Sequence, residues 1–541
     1  MKKIIFNFIC IPCLVLMSCN DLDQQPLHQF TDVSYWTSED KASSVLAQAY
    51  TQMIGTSGIN STAGRRMFDM DRLTDDVFVN RTVDDTFIAM GIADAYNGMF
   101  AYTWSDCYRC IKTCNMVLEN IDRVPMDATL KERMKAEARF IRASQFFFLT
   151  TMYGDIPHFD KQLTLDESAV IGRTAHAEVV TWVRSELNAI ASILPTKQQY
   201  APADNGRITK GAAMGLLART YLYANDWANI ASVSKKIIDG EYGTFSLFDS
   251  YEGIWRIENE YNSEVMLDIN FIPEIRTWDY MQDAIPMSQQ GRSNEHAPTQ
   301  ELVDDFVMLN GLHISDPASG YDPANPYVNR DPRFGLSIVY HGYQWKRPDE
   351  SIVTIKIDPT DLPTTVDMYR PGQLMATPSG YYMRKWWDPT ARQNGQQSGL
   401  NIIIMRYTEM LLMYAEAMNE QNQMSEQVWN MTIKAIRVRA GFTDPNALDW
   451  NASFTQAALR EIIRRERRCE LVFEGLRLFD IRRWKIAETV MNHQPTGAEF
   501  GPGSTTILLQ KRTFNPQRDY LWAIPGSQRD INPNLTQNPG W

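Results

Sequence analysis

The sequence predicts a mainly α-helical protein that supports one loop-rich lobe with small β elements. Three observations predict it. Apolar residues recur at helical spacing in several long stretches of the first half. The same spacing returns from Arg406 and closes around Trp484. Between Tyr261 and Asn401 glycine, proline, aspartate and asparagine rise, and aromatic residues are scattered among short strand-like runs. With 541 residues and 44% hydrophobic composition, the chain can bury a large core.

The start of the chain stands apart. Lys2 and Lys3 precede a nearly continuous apolar run from Ile4 to Met17, too short to span a bilayer. This is the pattern of a secretory signal peptide. It ends in Leu16-Met17-Ser18-Cys19, which resembles a bacterial lipobox, where the cysteine becomes the lipidated first residue. Residues 1–18 are expected to be signal, 19–30 a lipidated tether held by Cys19, and 31–541 a single domain. No later apolar run is long enough to cross a membrane.

The first helix is expected from Ser38 to Gln52, with Ser38 as cap and Val45, Leu46, Ala49 and Tyr50 inward. Gly55 to Arg81 reads as irregular and carries Asp69, Asp71, Asp75 and Asp76. Helices follow at Tyr102–Ile121, Leu130–Met152 and Ala175–Leu194, the last stopped by Pro195. Gly206 to Gly240 is the clearest local unit: a helix, a turn near Asn225-Asp226, and a second helix. Ala212, Ala213 and Ala218 allow close helix approach, while Leu216, Leu217 and Tyr221 supply bulk, as in a tetratricopeptide-type hairpin. A similar pair is expected at Tyr407–Asn419 and Ser425–Arg439. The scaffold is thus about 31–260 and 405–492, the ligand lobe about 261–404 with strand-like runs at Ser263–Asn270 and Ser337–Tyr340, and the irregular tail 493–541.

The stretch "RERRCELVFEGLRLFDIRRW" (465–484) combines charge and apolar bulk. Glu466, Glu470 and Glu474 recur every four residues, and Arg467 and Arg477 are placed to pair with them at helical spacing. A deep helix whose charges satisfy one another is expected, because buried charges without partners destabilise a fold.

Composition and motifs exclude several activities. A formal charge of -12 repels nucleic-acid phosphate. The seven histidines form no His-x3-His or His-x2-His pair, so sequence neighbours build no transition-metal site. There is no Gly-x-Ser-x-Gly elbow, phosphate loop or dinucleotide fingerprint, and "GPGST" (501–505) reads as loop. No carboxylate pair is singled out for glycoside hydrolysis; Asp304-Asp305 reads as a helix surface. Asp322, Asn325, Asn329 and Asp331 offer the oxygen ligands calcium takes, without EF-hand spacing; the leading reading is a turn. Cys107, Cys110 and Cys114 fall on one helical face and read as buried small residues, with a bridge to Cys469 left open.

Aromatic side chains in irregular segments are the candidates to meet a ligand's apolar faces: Trp278, Tyr280, Tyr340, Trp345, Tyr369, Tyr381, Trp386 and Trp387. Polar partners are sought in the first long loop, at Arg72, Asp75, Asn80 and Arg81. Together the two sets suit sugar rings, whose C–H faces meet aromatic rings while hydroxyls meet amides and guanidinium groups; the polar set would also suit a peptide's termini.

Several segments resemble the SusD/RagB family of outer-membrane nutrient-binding lipoproteins. They are "SYWTSEDKASSVLAQAY" (34–50), "NMVLENI" (115–121), "AEARFIRASQFFFLTTMYGDIPHF" (136–159), "GRITKGAAMGLLARTYLYANDW" (206–227), "DPR" (331–333), "RYTEMLLMYAEAMN" (406–419), "IRVRAG" (436–441), the 465–484 block and "YLWAIPGSQRDINPNLTQNPGW" (520–541). The resemblance implies a SusD-like fold, with tetratricopeptide-like helix pairs supporting the loop-rich lobe. It implies a protein on the outer face of the outer membrane, partnered by a TonB-dependent SusC-like transporter, that binds glycan and is no enzyme. Peptide or another nutrient, and a mainly structural transporter lid, are the alternatives.

Overall fold

The computed structural model describes residues 35–57, 62–63, 65–370, 375–393, 397–501 and 503–541. Cys19 and the signal segment lie outside the described residues. Among the described residues the helices that frame the scaffold include α1 (Glu39–Met53), α2 (Gly98–Asn120), α3 (Ala128–Tyr153), α4 (His176–Ala191), α5 (Lys210–Tyr223), α6 (Trp227–Ile238), α7 (Tyr407–Glu420), α8 (Gln456–Glu470) and α9 (Arg477–Arg483). Side-chain caps fix several starts. Asn97 accepts from Met99 N–H, Asp127 from Leu130, Thr209 from Ala212 and Asp226 from Asn229, each quenching an orphan donor of the first turn. Ser38 occupies the cap position of α1, but its hydroxyl makes no capping bond.

From α1 to α7 each helix packs on the next in chain order, and α7 then packs on α8. Ala212, Ala213 and Ala218 of α5 are fully buried between neighbours. Gly215 goes further: a Cβ there would lie 2.2 Å from Met405 Sδ. Its helix-interior cost of roughly 0.5–1 kcal/mol is offset by the approach it permits between α5 and the strand Ile402–Arg406.

Two strands tie the lobe to this scaffold. β1 (Val265–Ile269) pairs antiparallel with β2 (Ile402–Arg406), with Ile269 opposite Ile402, and α7 continues directly from β2. Between them the chain makes short strands and turns. Gly55–Arg81, expected to be irregular, contains a helix at Arg65–Asp71, whose Phe68 joins the core. One continuous apolar cluster runs from α1 through the lobe to the C-terminal segment.

The charged block departs from expectation. It is not one helix. α8 ends at Glu470; a turn follows in which Phe473 has φ +60 and Gly475 φ +71, and α9 begins at Arg477. A Cβ on Gly475 would meet the Met67 carbonyl at 2.5 Å, so the turn is pressed against the helix Arg65–Asp71. Glu474 therefore lies off the helix, and the pairing is long-range rather than between helical neighbours. Glu466 binds Arg333 (2.7 Å) and Arg437 (2.8 Å). Glu470 binds Arg333 (2.8 Å), Arg406 (2.7 Å) and Arg439. Glu474 binds Arg406 (2.8 Å) and Lys385 (2.7 Å). Arg467 pairs with Asp480 (2.8 Å) and Arg477 with Asp75 (2.7 Å). The short-range alternative loses because the turn at 471–476 takes Glu474 and Arg477 off the line of α8.

Cys107, Cys110 and Cys114 are buried in α2, and they and Cys469 are free thiols. The Cys469 thiol meets the Asp305 carbonyl instead (3.2 Å). The oxygen-rich run at 322–331 builds turns: Asp322 accepts from Ala324 N–H and the Asn325 amide, and Asp331 pairs with Arg333.

Candidate ligand-binding site

The first loop enters the lobe through a short strand, Val77–Phe78, paired antiparallel with Ala297–Pro298. The Thr299 hydroxyl fixes the preceding turn by donating to the Asp75 carbonyl (2.6 Å). Beyond the strand Val79 is buried, and residues 80–83 run along the surface. The Thr86 hydroxyl holds the Arg81 carbonyl (2.6 Å), and Glu295 holds the Arg81 guanidinium (2.7 Å). Arg81 is still 39% exposed, so it keeps donors directed to solvent.

These residues form one side of a pocket of about 580 Å3. Asn80, Arg81, Thr82 and Val83 face Tyr369, Pro378 and the segment Leu508–Gln510. Phe78 and Leu509, which line it, belong to a small apolar cluster with Ala297 and Ile507, against which Tyr369 and Phe500 pack. Tyr369 is half-buried and fixed by its N–H to the Ile357 carbonyl (2.9 Å). An aromatic ring, an amide and a guanidinium thus border one space.

Three of the twelve residues proposed from sequence, Asn80, Arg81 and Tyr369, meet here. Arg72 and Asp75 do not. Arg72 is buried among Asp69, Asp85 and Glu295. Asp75 bridges Arg468 (3.0 Å) and Arg477 (2.7 Å), and although burial alone would raise its carboxyl, those arginines hold it below the usual range.

Most of the aromatic candidates are corrections. Trp278, Tyr280, Trp345, Tyr381, Trp386 and Trp387 are buried. The Trp278 indole donates to the Leu400 carbonyl (2.7 Å), Tyr280 stacks on Phe68, and the Tyr381 hydroxyl donates to Gln300 (2.6 Å). Tyr340 is half-buried but stacked on Phe334 at 5.0 Å. The physical reason is shared: short strands and turns bury little through backbone alone, so the lobe's large rings supply its core. Trp345 and Trp387 border a second cavity of about 280 Å3 with Gln289, Gln290 and Arg347, although both side chains are themselves buried.

Sequence reasoning missed Pro378 and Leu508–Gln510. Leu508 is 70% exposed, and an apolar run in a tail carries no signal that separates a pocket wall from packing. Among the described residues no cluster of three or more histidine, cysteine or acidic side chains could hold a metal ion. No helix among them is long and apolar enough to cross a membrane.

Comparison with known proteins places this geometry. Residues 252–541 match the SusD family, and residues 22–222 match a family described as starch-binding, associating with outer membrane. A SusD-like carbohydrate-binding protein of Bacteroides fragilis superposes with TM-score 0.83 at 29% identity, covering 93% of this chain and 100% of that one. A second SusD-like protein of that species gives TM-score 0.78 at 25% identity, covering 96% and 100%. SusD-like protein P2 of Formosa agariphila is 26% identical over 561 residues, covering 100% of both chains. SusD-like proteins are non-catalytic binding proteins associated with the outer membrane. With more than half its length matched by the family and the fold shared over 93% of the chain, the chain belongs to the SusD family.

Proposed function

We propose that this protein is a cell-surface lipoprotein that captures oligosaccharide and hands it to a TonB-dependent SusC-like transporter, breaking no bond. The observation that carries the glycan reading is the 580 Å3 pocket, where Tyr369 offers a ring beside the Asn80 amide and the Arg81 guanidinium. A similar protein described as carbohydrate-binding shares the fold at 29% identity. The chain-order packing of α1 to α7 supports reading the scaffold as tetratricopeptide-like pairs.

Calorimetry of the soluble form, residues 20–541, against plant and host glycans tests this. One glycan should bind saturably and emerge with its size unchanged. Arg81→Ala and Tyr369→Ala should each weaken it about tenfold, the loss of one charged hydrogen bond or ring contact. Full affinity in both variants would remove the pocket from the reading. The Arg81–Glu295 pair at the rim favours a second reading, a peptide whose charged ends meet paired charges. Binding confined to a peptide digest would select it.

The anchor is tested separately. Cys19→Ala should release the protein from the membrane fraction and abolish lipid labelling; labelling at the wild-type level would discard the lipobox assignment.

A further inference from the structure

The helical side carries a cleft of about 740 Å3 that shares no residue with the proposed glycan pocket. Its size falls within the roughly 300–1,000 Å3 typical of ligand clefts. One wall is apolar: Phe147, Tyr223 and Phe479, with Tyr223 stacked on Phe479 at 5.4 Å. The other wall is cationic, although the chain as a whole is formally -12.

The cations differ in their partners. Arg483 is neutralised by Glu416 (2.7 Å) and Asp480 (2.8 Å). Arg173, Arg482 and Lys485 form no ion pair among the described residues. Arg173 donates only to neutral acceptors, the carbonyls of Tyr153, Asp155 and Thr536, the Thr536 hydroxyl and the Asn538 amide oxygen. Arg482 reaches the Asp519 carbonyl (3.1 Å) and Met152 Sδ (3.5 Å), and its Nε–H has no acceptor. Burial pushes its guanidinium down to about 10, with only partial relief from Asp519 and Tyr520. Lys485 is exposed, its ammonium 3.9 Å from the centre of the Tyr520 ring. Tyr520 in turn donates to Glu488. Asp155 is the one carboxylate in the lining, and it accepts the His176 N–H (2.8 Å).

A cleft whose charged lining is mostly of one sign concentrates ligands of the other sign, and here four cations stand against the one carboxylate of Asp155. We infer that this cleft binds a saccharide unit bearing an anionic sulfate or carboxylate group, the anion at Arg482 and Lys485 and the ring's C–H face toward the apolar wall of Phe147, Tyr223 and Phe479. The anion half of this inference stands on the cleft alone; the saccharide half rests on the glycan reading above.

The test compares a κ-carrageenan tetrasaccharide, its desulfated neutral form and a tetraglutamate peptide by calorimetry on the soluble form. The sulfated sugar should bind, weaken as salt rises, and lose about tenfold in Lys485→Glu, one charge-assisted contact. Its affinity should persist in Arg81→Ala, which separates this cleft from the proposed pocket. Equal binding of the desulfated sugar would overturn the inference. So would full affinity in both Lys485→Glu and Arg173→Gln. Tighter binding of tetraglutamate than of the sulfated sugar would replace the saccharide with an acidic peptide.

Discussion

Replacing Glu470 by alanine should destabilise the protein by about 3–5 kcal/mol, the range found when one partner of a buried ion pair is removed. Glu470 is fully buried and meets three guanidinium groups, those of Arg333, Arg406 and Arg439. Glu264 and Glu474 also serve Arg406, so that arginine keeps partners; Arg333 keeps Asp331 and Glu466. What is lost is the balance of the cluster, since three buried cations would share fewer anions. Total stabilities of ~5–15 kcal/mol make this a large fraction. Burial by itself would raise the Glu470 carboxyl, but Arg439, Arg406 and Arg333 hold it well below the ordinary carboxylate range. Its contribution is therefore present above the unfolded value near ~4.3 and is lost as pH falls through that value toward the folded one. Denaturant midpoints of wild type and Glu470→Ala at pH 7 and pH 4 measure both effects. Their difference should shrink at the lower pH. An unchanged midpoint at pH 7 would mean the cluster does not hold the fold.

This cluster marks what the sequence does and does not disclose. The density of paired charge in 465–484 predicts a buried network, because so many arginines and glutamates among apolar residues need partners. The partners themselves are invisible. Arg333 stands in a turn motif, Arg406 at the end of β2 and Arg439 in a helix, and only the packed chain brings them to Glu470. Helices are legible for the opposite reason: their signal is local, and apolar spacing with turn and proline stops places α2 to α7 within a few residues. The candidate pocket falls between. Asn80, Arg81 and Tyr369 were recognisable by residue type and loop context, but so were residues that turned inward, because exposure is decided by contacts far along the chain.

Trp386 gives the sharpest case, and Trp386→Ala should cost about 3–5 kcal/mol. Sequence context marks it as a ligand ring, since one of two consecutive tryptophans in an extended segment ordinarily faces outward. The backbone defeats that rule: Trp386 has φ +68, a kink that ends the alternation. The lobe also has core on both sides. Trp386 packs 4.3 Å from the Trp255 ring and edge-on to Phe68, while Trp387 packs 5.3 Å from Trp345. The Trp386 indole also donates to the Phe473 carbonyl (2.9 Å), inside the turn that carries Glu474 into the ion network. Alanine would leave a cavity between scaffold and lobe and strand that carbonyl, so the two losses fall at the same junction. A ligand-contact role and a core role separate cleanly in one experiment. The core role lowers the melting temperature while ligand affinity, measured well below that temperature, stays near wild type. A wild-type melting curve with lost affinity would return Trp386 to the binding surface.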